Sequence, residues 1–162
     1  MLEEESEAVM QPVRFEERPA GRLLGIQRRL DPHTTDWGAL WQEEYAPRLP
    51  EIEARCTGDV CLGAYFAGGD DGLLEFVAGR PARDGVDVPA DLVMREIPAA
   101  TYAVFECTME AIGATWDAIY SDWLPSSSYV TDADKACFEE FAPGCHEGKT
   151  PVRILVPVVQ QD

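Results

Sequence analysis

The chain has 162 residues, with 13 Lys or Arg against 30 Asp or Glu, for a formal charge of 13 − 30 = −17. That balance excludes a protein that gains affinity by laying basic side chains on nucleic-acid phosphates or on an anionic membrane. Neither nucleic acid nor membrane is expected among its partners. A composition 46% hydrophobic and 27% charged is that of a globular chain, long enough for one domain or for two small halves sharing a core.

Residues 1–12 carry Glu3, Glu4, Glu5 and Glu7 and no apolar stretch, so they read as a disordered acidic tail and not as a secretory signal. No window reaches the roughly 18 apolar residues of a membrane span. The cysteines Cys56, Cys61, Cys107, Cys137 and Cys145 are odd in number and scattered through a chain of a size that needs no staples. The sequence therefore reads as a cytoplasmic, soluble protein.

An internal repeat organises the rest. An offset of 96 − 17 = 79 lays Glu17, Pro19 and Ala20 on Glu96, Pro98 and Ala99. The same offset lays Trp37, Ala39, Leu40, Trp41 and Glu43 on Trp116, Ala118, Ile119, Tyr120 and Asp122, and residues 73–80 on 152–159. Residues 13–30 and 92–109 open the two units as strands, each with a Pro-Ala step ahead of an apolar stretch. A helix follows in each. Trp37, Leu40, Trp41, Glu44 and Tyr45 have helical spacing behind the candidate caps Thr34, Thr35 and Asp36. In the second unit Trp116, Ile119, Tyr120 and Trp123 repeat that spacing, and Leu124-Pro125 closes the helix. Strands at 60–66 and 73–79, joined by a turn at Gly68-Gly69-Asp70-Asp71-Gly72, complete the first unit. Strands at 137–141 and 152–159 complete the second, where Pro157 points to an edge or a bulge.

The predicted fold is α+β: two βαββ units, 13–80 and 92–159, within a single domain 13–162. Neither unit can bury its helix stripe and sheet face alone, so the halves should pack about a pseudo-two-fold axis with a central ligand groove.

High-specificity catalytic motifs are absent: there is no Gly-x-Ser-x-Gly, His-Glu-x-x-His or Gly-x-Gly-x-x-Gly. Gly148-Lys149-Thr150 imitates the end of a phosphate loop, but Pro143 stands where its first glycine belongs and a strand follows. Ser126-Ser127-Ser128 reads as a polar turn. Cys137, Cys145 and His146 lack a fourth ligand and a Cys-x-x-Cys clamp, so no metal or other cofactor is expected.

What remains is an excess of rings around acids. Phe138-Glu139-Glu140-Phe141 places two carboxylates between aromatics in a short strand, where alternation sends one glutamate to the groove and its neighbour to water. A carboxylate among ring faces is a receptor for a delocalised cation. The same apolar surroundings raise its pKa, which is how a general acid or base is made. A helical aromatic stripe also suits plain core packing, and Glu139 also suits an ordinary solvated or salt-bridged strand residue.

Several segments together resemble the GyrI-like small-molecule-binding domains, the effector-binding domains of AraC-type and MerR-type transcription activators. They are residues 13–20, Leu40-Trp41 with Leu49-Pro50, residues 93–105, Trp116 to Pro125 ahead of Tyr129, Phe138-Glu139-x-Phe141, and residues 152–158. The resemblance implies a duplicated βαββ fold whose groove takes lipophilic, often cationic, molecules. It implies that Glu139 meets the ligand and that Tyr120 and Trp123 approach the groove while Trp116 packs inside. Phe141 stands where the family usually carries Tyr, which removes a hydroxyl. Trp41 and Tyr65 complete the expected ligand-binding set.

With no basic helix-turn-helix candidate, the chain resembles the stand-alone kind, a monomer or homodimer that binds or senses a lipophilic, cationic compound. Two other readings stay open. Some relatives are hydrolases of strained or electrophilic molecules, in which Glu139 would be the catalytic base and Tyr120 a helper. An acidic surface could also occupy a DNA-binding enzyme such as a topoisomerase.

Overall fold

The computed structural model describes residues 10–67 and 71–161. The acidic tail up to Val9 and the Gly68-Gly69-Asp70 part of the expected turn lie outside the described residues.

Among the described residues nine strands form an antiparallel sheet: β1 (Arg14–Arg18), β2 (Gly21–Leu30), β3 (Cys61–Ala67), β4 (Leu74–Pro81), β5 (Val93–Ile97), β6 (Ala100–Cys107), β7 (Tyr129–Thr131), β8 (Cys137–Phe141) and β9 (Val152–Gln160). The order is β1-β6-β9-β8-β3-β4-β2-β5, and β7 pairs with the far end of β9. Each opening segment, expected as one strand, is two. Pro19 and Pro98 lie in the breaks. A proline has no N–H to give a ladder, and the chain uses the break to change neighbours. β1 leaves its own unit to pair with β6, and β5 crosses back to pair with β2.

These exchanged pairings share one register. Arg14 pairs with Val104 and Gly25 with Val93, and 14 + 79 = 93 while 25 + 79 = 104. The strand order also reads the same from either end once β1, β2, β3 and β4 are exchanged for β5, β6, β8 and β9. The first unit is thus ββαββ and the second ββαβββ, one and two strands more than the sequence pattern suggested.

Two helical segments lie on one face of the sheet. The first, residues 37–53, starts at Asp36, whose carboxylate accepts from the Ala39 N–H at 3.0 Å and so satisfies an orphan donor of the first turn. The second, residues 109–126, starts a turn or more earlier than its aromatic spacing indicated and runs through Pro125 to Ser126. Both contain a π-helical stretch at equivalent places, Leu40–Tyr45 and Ile119–Trp123, with Leu40 falling on Ile119 at the offset of 79. Wide turns of this kind re-aim side chains and recur at functional sites.

Strand alternation divides the core. On the helix face, Leu24, Ile26, Phe76 and Ala78 pack under Leu40, Tyr45 and Ile52. In the second unit Ala103, Phe105, Ile154 and Val156 pack under Ile119 and Trp123. On the other face Leu23, Leu62, Val77, Tyr102, Phe138 and Leu155 form a third cluster. Burying a side chain of this size contributes about 1.5–3 kcal/mol, so two segments with little regular α-helix are held mainly by the sheet beneath them.

Pro157 does not mark an edge. β9 lies between β6 and β8. Its pairing with β8 ends at Leu155, and its pairing with β7 begins at Val158. The Pro157 carbonyl accepts from Asp132 N–H at 2.8 Å. N–H and C=O of one strand residue point the same way, so the missing donor of Pro157 faces the gap between β8 and β7, where no ladder asks for it.

Candidate functional site

The two helical segments flank a cleft of about 1590 Å³ floored by β3 and β8. The first segment supplies Trp37, Trp41 and Tyr45, the second Ile112, Trp116 and Tyr120, and the floor Cys61, Tyr65, Cys137, Glu139 and Phe141. Ring contacts run across it. Trp41 meets Phe141 edge-on at 5.3 Å, Tyr65 meets Trp116 edge-on at 5.9 Å, and Trp116 stacks with Tyr120 at 6.2 Å.

Glu139 is the one acid among the buried residues described, 5% exposed. Its Oε2 accepts from Trp116 Nε1–H at 2.7 Å and from the Tyr65 hydroxyl at 3.4 Å. Burial pushes its carboxyl from the ordinary 4.5 up to about 7, because desolvation penalises the charged form more than these two donors favour it. Burial, and then the neighbouring carboxylate, push the Cys137 thiol up to about 12, and the same two influences raise Tyr65. The buried floor of the cleft therefore holds a carboxyl that can be neutral or charged near neutral pH, beside Cys137 and Tyr65, which stay uncharged there.

Glu140 turns to the opposite face, as alternation requires, but it is largely withdrawn from water. Arg18 donates to it at 2.6 Å, with Glu16 on the other side of the guanidinium at 2.5 Å, and its side chain is 13% exposed.

Five of the six residues expected at the ligand line this cleft: Trp41, Tyr65, Tyr120, Glu139 and Phe141. Trp123 does not. It is 7% exposed in the core, edge-on to Phe105 at 5.2 Å. Thr115, Ile119 and Trp123 recur every four residues and are all buried. The π-helical turn keeps that spacing on the sheet-facing side, which leaves Trp116 and Tyr120 for the cleft. Trp116, expected inside, is thus a lining residue and the shorter hydrogen-bond donor to Glu139. Trp37, Tyr45 and Arg80 also line the cleft and were not among the expected site residues. Trp37 and Tyr45 could have been found on the Trp41 stripe; nothing in the sequence singles out Arg80.

Residues 11–159 match the GyrI-like small molecule binding domain. The chain belongs to that family. A curated relative, the transcriptional regulator BrlR of Pseudomonas aeruginosa, is 34% identical over 149 residues, which are 90% of this chain and 54% of BrlR. The chain thus spans about half the length of that relative. Among solved structures, SAV2435 bound to tetraphenylphosphonium superposes with a TM-score of 0.73 at 17% identity, covering 90% of this chain and 93% of that one. A hydrolase from Listeria innocua superposes with a TM-score of 0.52 at 11% identity, covering 96% of each chain. These likenesses establish the family's fold for this chain, a large antiparallel sheet with two helical segments. No helix of the described residues is long and apolar enough to cross a membrane.

Proposed function

We propose that this GyrI-like domain binds lipophilic cations in the cleft, with Glu139 as the counter-charge. The observation that carries the reading is the buried carboxylate itself, held by Trp116 and Tyr65 in an aromatic cleft. A lone carboxylate in apolar surroundings is costly when ionised. A delocalised cation repays that cost, since ring faces attract it and the carboxylate neutralises it. A soft organic cation suits such a site better than Na⁺ or Lys, because it loses less hydration on entry. The tetraphenylphosphonium bound to SAV2435 is a molecule of this class. The resemblance to BrlR supports sensing as the use of binding.

The test is a titration of tetraphenylphosphonium followed by Trp fluorescence, with wild type and Glu139→Gln. Binding weakened tenfold or more by the substitution supports the reading. Equal affinities remove Glu139 from it, and no binding of any lipophilic cation by wild type overturns it.

A second reading has one observation in its favour. A carboxyl pushed to about 7 is suited to moving protons at neutral pH, and one neighbour of the same fold is a hydrolase. In that reading Glu139 activates water against an electrophilic small molecule, and Tyr120 is the one cleft tyrosine that is largely exposed, at 47%. Turnover of a reactive ester lost in Glu139→Gln would promote it; inertness across an ester panel would retire it.

A further inference from the structure

The two halves of the cleft are not alike, and the differences fall on charge. Register makes the comparison residue by residue. Gly63 pairs with Glu139 across β3 and β8, Ala78 with Gly63 and Ile154 with Glu139. A shift of 139 − 63 = 76 therefore carries Gly63 to Glu139 and Ala78 to Ile154, and it carries Arg80 to Val156; in these strands the register is three residues short of the offset of 79 that laid 73–80 on 152–159. One half has the acid where the other has no side chain. That other half has a guanidinium where the first has a buried valine.

Arg80 is the one arginine or lysine among the described residues lining the cleft. Its side chain is 11% exposed. Nη1 lies 3.3 Å from Glu53, a carboxylate 51% exposed, and donates to the Gly58 carbonyl at 3.4 Å. Nε is buried with no acceptor. Beside the guanidinium, the Tyr45 hydroxyl stands 3.3 Å from Cys61 Sγ, and both residues line the cleft. A buried N–H without a partner costs about 1–3 kcal/mol, and such groups are rare enough to call for an explanation. A ligand carboxylate at this end of the cleft would accept a charge-assisted bond from the guanidinium, a group that cannot lose its proton.

Resting on the cation-binding reading above, we infer that the cleft is a two-pole site. Glu139 takes the cationic part of the ligand, and Arg80, flanked by Tyr45 and Cys61, takes a carboxylate at its other end. The natural ligand class is then a zwitterionic amphiphile: an apolar, cationic body joined to an anionic tail. Strand geometry sets the span. Arg80 is two strands away from Glu139 and two residues along, which places their Cα atoms about 11–12 Å apart. The poles also fix orientation, because a ligand reversed in the cleft would face each charge with its like.

The probes are triphenylphosphonium ions carrying an ω-carboxyalkyl chain of increasing length, each beside its methyl ester, titrated at pH 8 with the whole chain. For wild type the expected result is no advantage of acid over ester at the shortest tethers, and an advantage of about tenfold once the tether spans roughly 10 Å. Arg80→Gln should remove that advantage while the ester still binds, and its ester binding shows that the variant is folded. Arg80→Lys, which keeps the charge without the fork, should retain part of it. Acid and ester binding equally at every length in wild type overturns the inference and leaves the cation reading standing. An acid advantage that survives in Arg80→Gln also overturns it. If neither acid nor ester binds at any length, the cation reading fails and the two-pole site with it. The wild-type length series decides the matter even if Arg80→Gln does not fold.

Discussion

Gly63 and Glu139 face each other in the β3·β8 ladder that floors the cleft. A Cβ on Gly63 would stand 2.9 Å from two ring atoms of Phe76 and 3.3 Å from Trp41. The missing side chain on one strand lets those rings close against the floor opposite the carboxylate on the other. Gly63→Ala should therefore overpack the floor and destabilise the fold by about 1–3 kcal/mol. It should also weaken tetraphenylphosphonium binding, because Trp41 must shift. Chemical denaturation and the fluorescence titration check the two effects; an unchanged midpoint with unchanged affinity would show that the rings move freely.

Cation affinity should depend on pH through Glu139. The cation prefers the ionised carboxylate, and the free protein's carboxyl titrates near 7. Affinity should be level above about pH 8 and fall roughly tenfold by pH 6, where about one molecule in ten is ionised. Glu139→Gln should flatten the profile. Isothermal titration at pH 6, 7 and 8 would show this, and a wild-type profile as flat as the variant's would contradict it.

Stability should depend on pH with the opposite sense. A carboxyl raised in the folded state binds its proton more tightly there than in the unfolded chain. Its contribution is fully present below about 4.5 and is lost as pH rises through about 7. Over that interval the folded state loses on the order of 3 kcal/mol. The informative quantity is the difference between wild type and Glu139→Gln. The variant should gain relative to wild type between pH 5 and pH 8, read from denaturation midpoints at each pH, and a constant difference would refute the sign.

Trp116 and Trp123 should separate function from stability. Trp123→Ala removes a ring packed on Phe105 and should cost about 3–5 kcal/mol with little direct effect on the ligand. Trp116→Ala removes a cleft wall and the 2.7 Å donor to Glu139. It should cost less stability and more affinity. The reverse ranking would return Trp123 to the site.

Gly25 and Gly79 pair across β2 and β4, each at a contact that leaves no room for a methyl group. A Cβ on Gly25 would meet the Ala78 carbonyl oxygen at 1.9 Å, and one on Gly79 would meet that of Leu24 at 2.2 Å. Both obstacles are backbone, so relief requires the ladder to open. Gly25→Ala should destabilise by about 3 kcal/mol or more, measurable as a lowered urea midpoint; a loss below 1 kcal/mol would mean that the strands separate at little cost.

The period-2 and period-3.6 patterns located most strands and both helical segments, and even the weaker strand Cys137–Phe141 was legible with Glu139 and Glu140 on opposite faces. The offset of 79 disclosed the repetition, since Trp-x-Ala-aliphatic-aromatic is too rare a string to recur by accident. These properties are local, set by each residue's side chain and its near neighbours. Pairing partners are not local. That β1 and β5 trade units, that β7 extends β9, and that Pro157 sits inside the sheet beside a gap follow from which backbone groups find acceptors after collapse. The same holds for the tryptophans. A helical stripe contains both Trp116 and Trp123, and only the π-helical turn and the sheet beneath it send one to Glu139 and the other to Phe105. Arg80 is the furthest case: in the sequence it is one arginine at the end of a strand, and packing alone strips its Nε of water and sets it in the same cleft as Glu139, where charge is worth more because solvent is excluded.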